Sequence, residues 1–132
     1  MGCFKIIAGE AIKTADHILL IGDNREMVSI TGRLLERSGY QVWQAVGLEQ
    51  AYEMMLKQMP RLIVMECELP DGSGITACRQ IRLKKLPVQI LLTSNDESDE
   101  VAALNAGADD FVKKPYRMEV LLARMNRLQQ RS

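Results

Sequence analysis

Five short apolar runs, each followed by a stretch of helical periodicity, constrain the fold of this chain more than any other feature. The first run is HILLIG from His17. Behind it, DNREMVSITGRLLERSGY repeats Met27, Ile30, Leu34 and Leu35 at helical spacing, with Gly39 as a stop. QVWQAV then reads as a second strand, LEQAYEMMLKQM as a helix ended by Pro60, and RLIVME as a third strand. GITACRQIRLKK is a third helix closed by Leu86 and Pro87, VQILLTS a fourth strand, and DESDEVAALNAG a fourth helix stopping at Gly107. ADDFVKK supplies the fifth strand and RMEVLLARMNRLQQR a last amphipathic helix. Apolar strands alternating with helices across short connections imply a parallel sheet covered on both faces. Right-handed crossovers narrow the choice to a doubly wound α/β domain.

The 132 residues suffice for one core, expected over residues 16–132, with residues 1–15 as an N-terminal extension of unknown role. Seventeen basic residues balance seventeen acidic ones, which argues against nucleic-acid binding by this chain alone. No apolar run is long enough to span a membrane, and no signal-peptide or myristoylation pattern opens the chain. Cys3, Cys67 and Cys78 have neither the number nor the spacing of a disulfide framework or zinc site, so a reducing, cytoplasmic compartment is expected.

In an open parallel sheet, function gathers at the carboxyl ends of the strands. Strand one ends in Gly22-Asp23-Asn24, strand three in Glu66-Cys67-Glu68, strand four in Thr93-Ser94, and strand five in Lys113-Lys114-Pro115. Each group also has an ordinary use: Asp23 as a helix N-cap, Thr93 as a loop cap, Lys114 as a solvated charge. Together, carboxylates, a hydroxyl and an ammonium on one rim suit an oxygen-binding divalent cation beside a phosphoryl-sized anion.

These residues resemble the receiver domains of bacterial two-component response regulators. The resemblance runs from about His17 to Arg131 and is carried by AGADDFVKKPY, LPDGSG and LLTS. It implies a flavodoxin-like sheet of strand order 2-1-3-4-5. In that family an Asp pair after strand one and an Asp ending strand three bind magnesium, and the latter accepts phosphate from a sensor histidine kinase. Carried over, Asp23 is a metal ligand, the Glu68 carbonyl a backbone ligand, and Thr93 the switch hydroxyl. Lys114 is the phosphate-binding lysine, its bond to Pro115 usually cis, and Phe111 the aromatic that turns inward on activation.

Two positions depart from the pattern. The acidic pair is reduced to Gly22-Asp23, and the phosphoacceptor position holds Glu66. Glutamate reaches about 1.5 Å further than aspartate, and misplacement of that order costs ~100-fold in an in-line transfer. Loss of an acid at Gly22 weakens any magnesium site. The expectation is an atypical receiver with altered or absent phosphorylation. Its Glu66, paired with Lys114 and Thr93, either biases the switch toward the active-like state or merely marks an inert scaffold. A conventional magnesium-dependent phosphoacceptor is the alternative.

The resemblance is closest to the winged-helix transcription factors. In these, the face of the fourth helix, fifth strand and fifth helix forms a homodimer, with Asp109, Asp110, Glu119 and Arg124 at the expected positions. RLQQRS reads as a helix entering a linker, so DNA binding is expected only through an output domain outside this chain. A magnesium-dependent phosphatase is the rival from another class; it needs an Asp nucleophile and a second acid after strand one, which Gly22-Asp23-Asn24 does not supply. The chain is expected not to be an enzyme.

Overall fold

The computed structural model describes residues 16–130; the N-terminal extension expected from the sequence lies outside them. The elements run β1 (His17–Ile21), α1 (Arg25–Arg37), β2 (Gln41–Ala45), α2 (Leu48–Lys57), β3 (Leu62–Glu66), β4 (Glu68–Leu69), β5 (Gly72–Ser73), α3 (Gly74–Leu83), β6 (Gln89–Ser94), α4 (Asp99–Asn105), β7 (Asp110–Lys113) and α5 (Met118–Gln130). Five parallel strands form one sheet in the order β2-β1-β3-β6-β7, the doubly wound arrangement expected from the alternation. β4 and β5 form a two-stranded antiparallel hairpin that the apolar pattern did not announce.

Side chains of β1, β3, β6 and β7 alternate between two cores, as the pleat requires. Leu19, Ile21, Ile63, Met65, Ile90, Leu92 and Phe111 face one core, closed by α2, α3 and α4 through Ala51, Met55, Ala77, Ile81 and Ala103. Ile18, Leu20, Leu62, Val64, Leu91 and Val112 face the other, closed by α1 and α5 through Val28, Leu35, Leu121, Met125 and Leu128. Each fully buried aliphatic contributes about 1.5–3 kcal/mol relative to exposure, so this double burial fixes which way every strand end points.

The apolar stripe read on α1 is displaced. Met27, Ile30 and Leu34 are exposed, while Val28, Gly32 and Leu35 are buried. The helix can approach the sheet there because position 32 has no side chain: a Cβ would lie 2.3 Å from the Gln44 amide on β2. Asn24 caps α1 by accepting from the Met27 N–H at 3.1 Å. Gly39 follows α1 and Gly107 follows α4, both at positive φ (98° and 106°), as their reading as helix stops requires.

Arg82 on α3 donates to the carbonyls of Gly107 (2.8 Å) and Val88 (2.6 Å) and to the Asp109 carboxylate (2.6 Å). Asp109 also accepts from the Ile90 N–H at 2.8 Å, so one guanidinium ties α3 to the starts of β6 and β7. Arg82→Met is expected to cost about 2–3 kcal/mol, since charge-assisted bonds are lost and a half-buried carboxylate loses its cation; urea unfolding checks this.

At the opposite edge from the strand ends, His17 is 2% exposed and stacks on Trp43 with centroids 4.1 Å apart. Burial holds its imidazole below the ordinary value of 6.5. The folded state therefore binds fewer protons than the unfolded chain below that pH, and stability falls as pH drops through 6.5 toward the lowered folded value. His17→Phe is expected to flatten this part of the profile, read as Tm between pH 7.5 and 5.

Candidate functional site

Glu66 is the last residue of β3, in register with Thr93 of β6. The strand behind it is fully buried, so its carboxylate, 18% exposed, must be satisfied locally. It is. Oε1 ion-pairs with the Lys114 Nζ, and Oε2 accepts from the Asp23 backbone N–H at 2.8 Å. Lys114 follows β7; its own N–H donates to the Ser94 carbonyl at 2.7 Å, and its bond to Pro115 is cis. One carboxylate thus bridges the ends of β1, β3 and β7.

Two glycines make this possible. A Cβ at Gly22 would lie 2.7 Å from Glu66 Oε2 and 2.8 Å from Val28 Cγ2, so the Glu66 carboxylate uses the space a side chain at position 22 needs. A Cβ at Gly74 would lie 2.2 Å from the Glu66 carbonyl oxygen, against backbone that cannot yield. The Gly74 N–H donates to the Cys67 carbonyl at 2.8 Å, turning the chain into α3 directly behind the site.

A cavity of about 80 Å³ opens beside this bridge, lined by Asp23, Glu66, Glu68, Ser94, Asn95 and Lys114. The helix cap falls to Asn24, so the Asp23 carboxylate is left to the cavity. Glu68 is exposed on the far side. For magnesium the fit is poor. Position 22 offers no carboxylate, and both Glu66 oxygens already face donors. Among the described residues, no group of three or more His, Cys, Asp or Glu is arranged to hold a metal ion.

Thr93 is 3% exposed and absent from the cavity lining; its carbonyl accepts from the Cys67 N–H at 2.8 Å. The hydroxyl residue in the cavity wall is Ser94, one position on, which the sequence reading placed at the strand end without a role. Ser94 Oγ donates to the Asp99 carboxylate at 2.6 Å and accepts from the Asp96 N–H at 3.0 Å, fixing the first turn of α4 to the end of β6. Phe111 is 6% exposed and packs in the core beneath α3 and α4. Cys67 is buried, and burial pushes its thiol up to about 12, with the neighbouring Asp99, Cys78, Glu68 and Glu66 adding to the shift. An uncharged, buried thiol of this kind is a packing group rather than a nucleophile.

Asp71 is the residue that sequence reasoning missed, having seen only a turn in LPDG. Its carboxylate accepts from the Leu48 N–H (2.8 Å) and the Glu49 N–H (2.9 Å), capping α2 from a loop more than twenty positions away. Those two bonds hold its carboxyl below the ordinary value. Gly47, the N-terminal neighbour of α2, supplies no side-chain cap.

On the face of α4, β7 and α5, charges are paired within the chain. Asp110 is buried and meets Arg124 and Arg127, each at 3.1 Å. Glu119 lies 3.6 Å from Arg117, both exposed, and Asp109 turns away to Arg82.

The chain matches the response regulator receiver domain over residues 18–126. It is 37% identical over 117 residues to the alkaline phosphatase synthesis transcriptional regulatory protein PhoP of Bacillus subtilis, covering 87% of this chain and 49% of that protein. It is equally similar, 37% over 118 residues, to response regulator MprA of Mycobacterium ulcerans, covering 88% of this chain and 51% of that one. The chain therefore spans about half the length of these relatives. A two-component response regulator from Clostridium difficile superposes with a TM-score of 0.80 at 29% identity, over 90% of this chain and 98% of that one. A Burkholderia pseudomallei response regulator with a phosphorylated aspartic acid and a calcium ion superposes with a TM-score of 0.74 at 27% identity, over 83% and 65%. No helix among the described residues is long and apolar enough to cross a membrane. By sequence and by fold, the chain belongs to the response regulator receiver domain family.

Proposed function

We propose that this is an atypical receiver, signalling through protein–protein contacts while Glu66 replaces the phosphorylatable aspartate. The observation that carries the reading is the bridge from Glu66 to the Lys114 ammonium and the Asp23 amide. In the family, that lysine contacts phosphoryl oxygens; here the carboxylate already occupies it. The mimicry is partial, because one carboxylate brings about one charge and two oxygens, against nearly two charges and three oxygens for phosphate. The inward Phe111 supports a bias toward the active-like arrangement. Thr93 is retained in the reading as the switch hydroxyl, reached only if the end of β6 shifts. Magnesium binding through Asp23 and the Glu68 carbonyl is weak in this reading.

The partners follow the family. They are a sensor histidine kinase and a second copy docked through α4, β7 and α5, where Asp110, Arg124 and Glu119 exchange internal pairs for cross-dimer ones and Asp109 stays with Arg82. Exposed pairs of this type are worth little individually, so they set register. DNA binding belongs to an output domain of the full-length regulator, as the relatives named transcriptional regulators suggest. The domain spans residues 16–132 behind the extension 1–15, acts in the cytoplasm, and catalyses no turnover of its own.

Intact mass after incubation with magnesium and acetyl phosphate tests the central claim. The wild type is expected to stay unmodified, and the double variant Gly22→Asp/Glu66→Asp to gain a phosphoryl group. A phosphorylated wild type overturns the reading, and failure of both the double variant and the wild type favours an inert scaffold over a blocked acceptor.

A second outcome concerns the steric pairing of positions 22 and 66. Gly22→Ala is expected to cost about 1–3 kcal/mol by overpacking. In a Glu66→Asp background the carboxylate withdraws, leaving only the Val28 contact, so the cost should drop by roughly 1 kcal/mol. Urea unfolding of the four proteins measures the difference.

A further inference from the structure

A groove of about 640 Å³ lies away from the strand ends, between α2 and α3. Leu48, Tyr52 and Leu56 of α2 and Ala77 of α3 give it an apolar wall, and Leu56 is 49% exposed. Its charged lining residues are all acidic: Glu49, Glu53 and Asp71. Asp71 is spent on the N-terminus of α2, which closes the groove at that end. Leu56 and Gln80 lie toward the other end, where α2 finishes and the chain turns toward β3.

The amino-terminal side of the domain arrives at that same end. Asp16, immediately before β1, lies 3.8 Å from Arg61, and the Arg61 N–H donates to the His17 carbonyl at 2.9 Å. Residues 1–15 precede this point and read MGCFKIIAGEAIKTA. They contain one compact apolar group with a cation inside it, Phe4-Lys5-Ile6-Ile7, and a second cation at Lys13. α2 has 10 residues, about 15 Å at 1.5 Å per residue. The nine residues from Ile7 to Asp16 reach up to about 30 Å at ~3.3 Å each. The segment can therefore lie along the groove from its Leu56 end.

We propose that the α2–α3 groove is the docking site of this chain's own residues 3–7, with Phe4 and an isoleucine on the Leu48, Tyr52 and Leu56 wall and Lys5 beside Glu49 and Glu53. The sign of charge and the apolar match select this segment: a cation-bearing hydrophobic stretch meets a groove lined by acids and no cation. Single exposed pairs contribute little, so burial of Phe4 is the main contribution and the lysine sets register. The groove lies beside the hairpin that follows Glu66, so an occupied groove adds contacts to the segment joining the strand-end site to α2.

The chain carries a handle for testing this. Cys67 and Cys78 are 4% and 0% exposed with raised thiol pKa values, so brief spin labelling at neutral pH addresses Cys3. Mass analysis of the wild type and of Cys3→Ser verifies single labelling. In the labelled, nitrogen-15 full chain, the amides of Tyr52, Leu56 and Gln80 are expected to lose more than half their intensity, while those of Leu121 and Leu128 on the opposite face keep theirs. Phe4→Ser is expected to restore most of the loss, and Glu49→Lys combined with Glu53→Lys to shift which of these amides are broadened. Uniform or absent broadening overturns the proposal. So does equal broadening when unlabelled nitrogen-15 chain is mixed with spin-labelled nitrogen-14 chain, because the occupant is then a second copy.

Discussion

A carboxylate at the end of a strand buried on both sides must find its cation and its donors within its own reach. Glu66 finds Lys114 and the Asp23 amide, and much of the strand-end architecture serves that arrangement. Gly22 leaves the room, Gly74 brings the following helix in behind, and the strand order sets β1 beside β3 with β7 beyond β6, so the two partners reach Glu66 from either side. The pair sits only partly in water, so it is screened less than a surface pair. Removing either partner strands the other charge in a half-buried position.

From this bridge a short chain of bonds runs outward. Lys114 is held through its backbone to Ser94, and Ser94 in turn holds Asp99 in the first turn of α4. On the other side, Asp71 holds the hairpin to α2. The strand-end cavity is thereby bonded to the first turn of α4, and the hairpin that follows Glu66 to the first turn of α2, both helices on one face of the sheet.

The fold was legible because its inner strands are nearly uniform in burial: runs such as HILLI and LIVM admit few other environments. Helix stops were legible because Gly39 and Gly107 adopt a backbone that other residues resist. The face of α1 was not, since Met27, Ile30 and Leu34 are more conspicuous than Val28 and Gly32, and only the approach of Gln44 reveals which side meets the sheet. In the site, Asp23, Glu66, Glu68 and Lys114 could be placed at one rim from strand ends alone, and the structure gathers them there. Ser94, read from the sequence only as a strand-end residue, lines the cavity, because neighbouring strand residues point to opposite faces and a one-residue difference decides which hydroxyl meets it. The Asp71 cap and the exclusion between positions 22 and 66 depend on distances between remote segments, which periodicity does not encode.

That exclusion also shapes the evolutionary routes open to the protein. Placing aspartates at both positions 22 and 66 takes two changes. If position 22 changes first, its side chain collides with the Glu66 carboxylate. If position 66 changes first, the bridge to the Asp23 amide is shortened away before a second acid arrives. The two positions therefore share one volume, and what one side chain fills the other leaves. The residues at positions 22 and 66 are thus matched to each other by their packing.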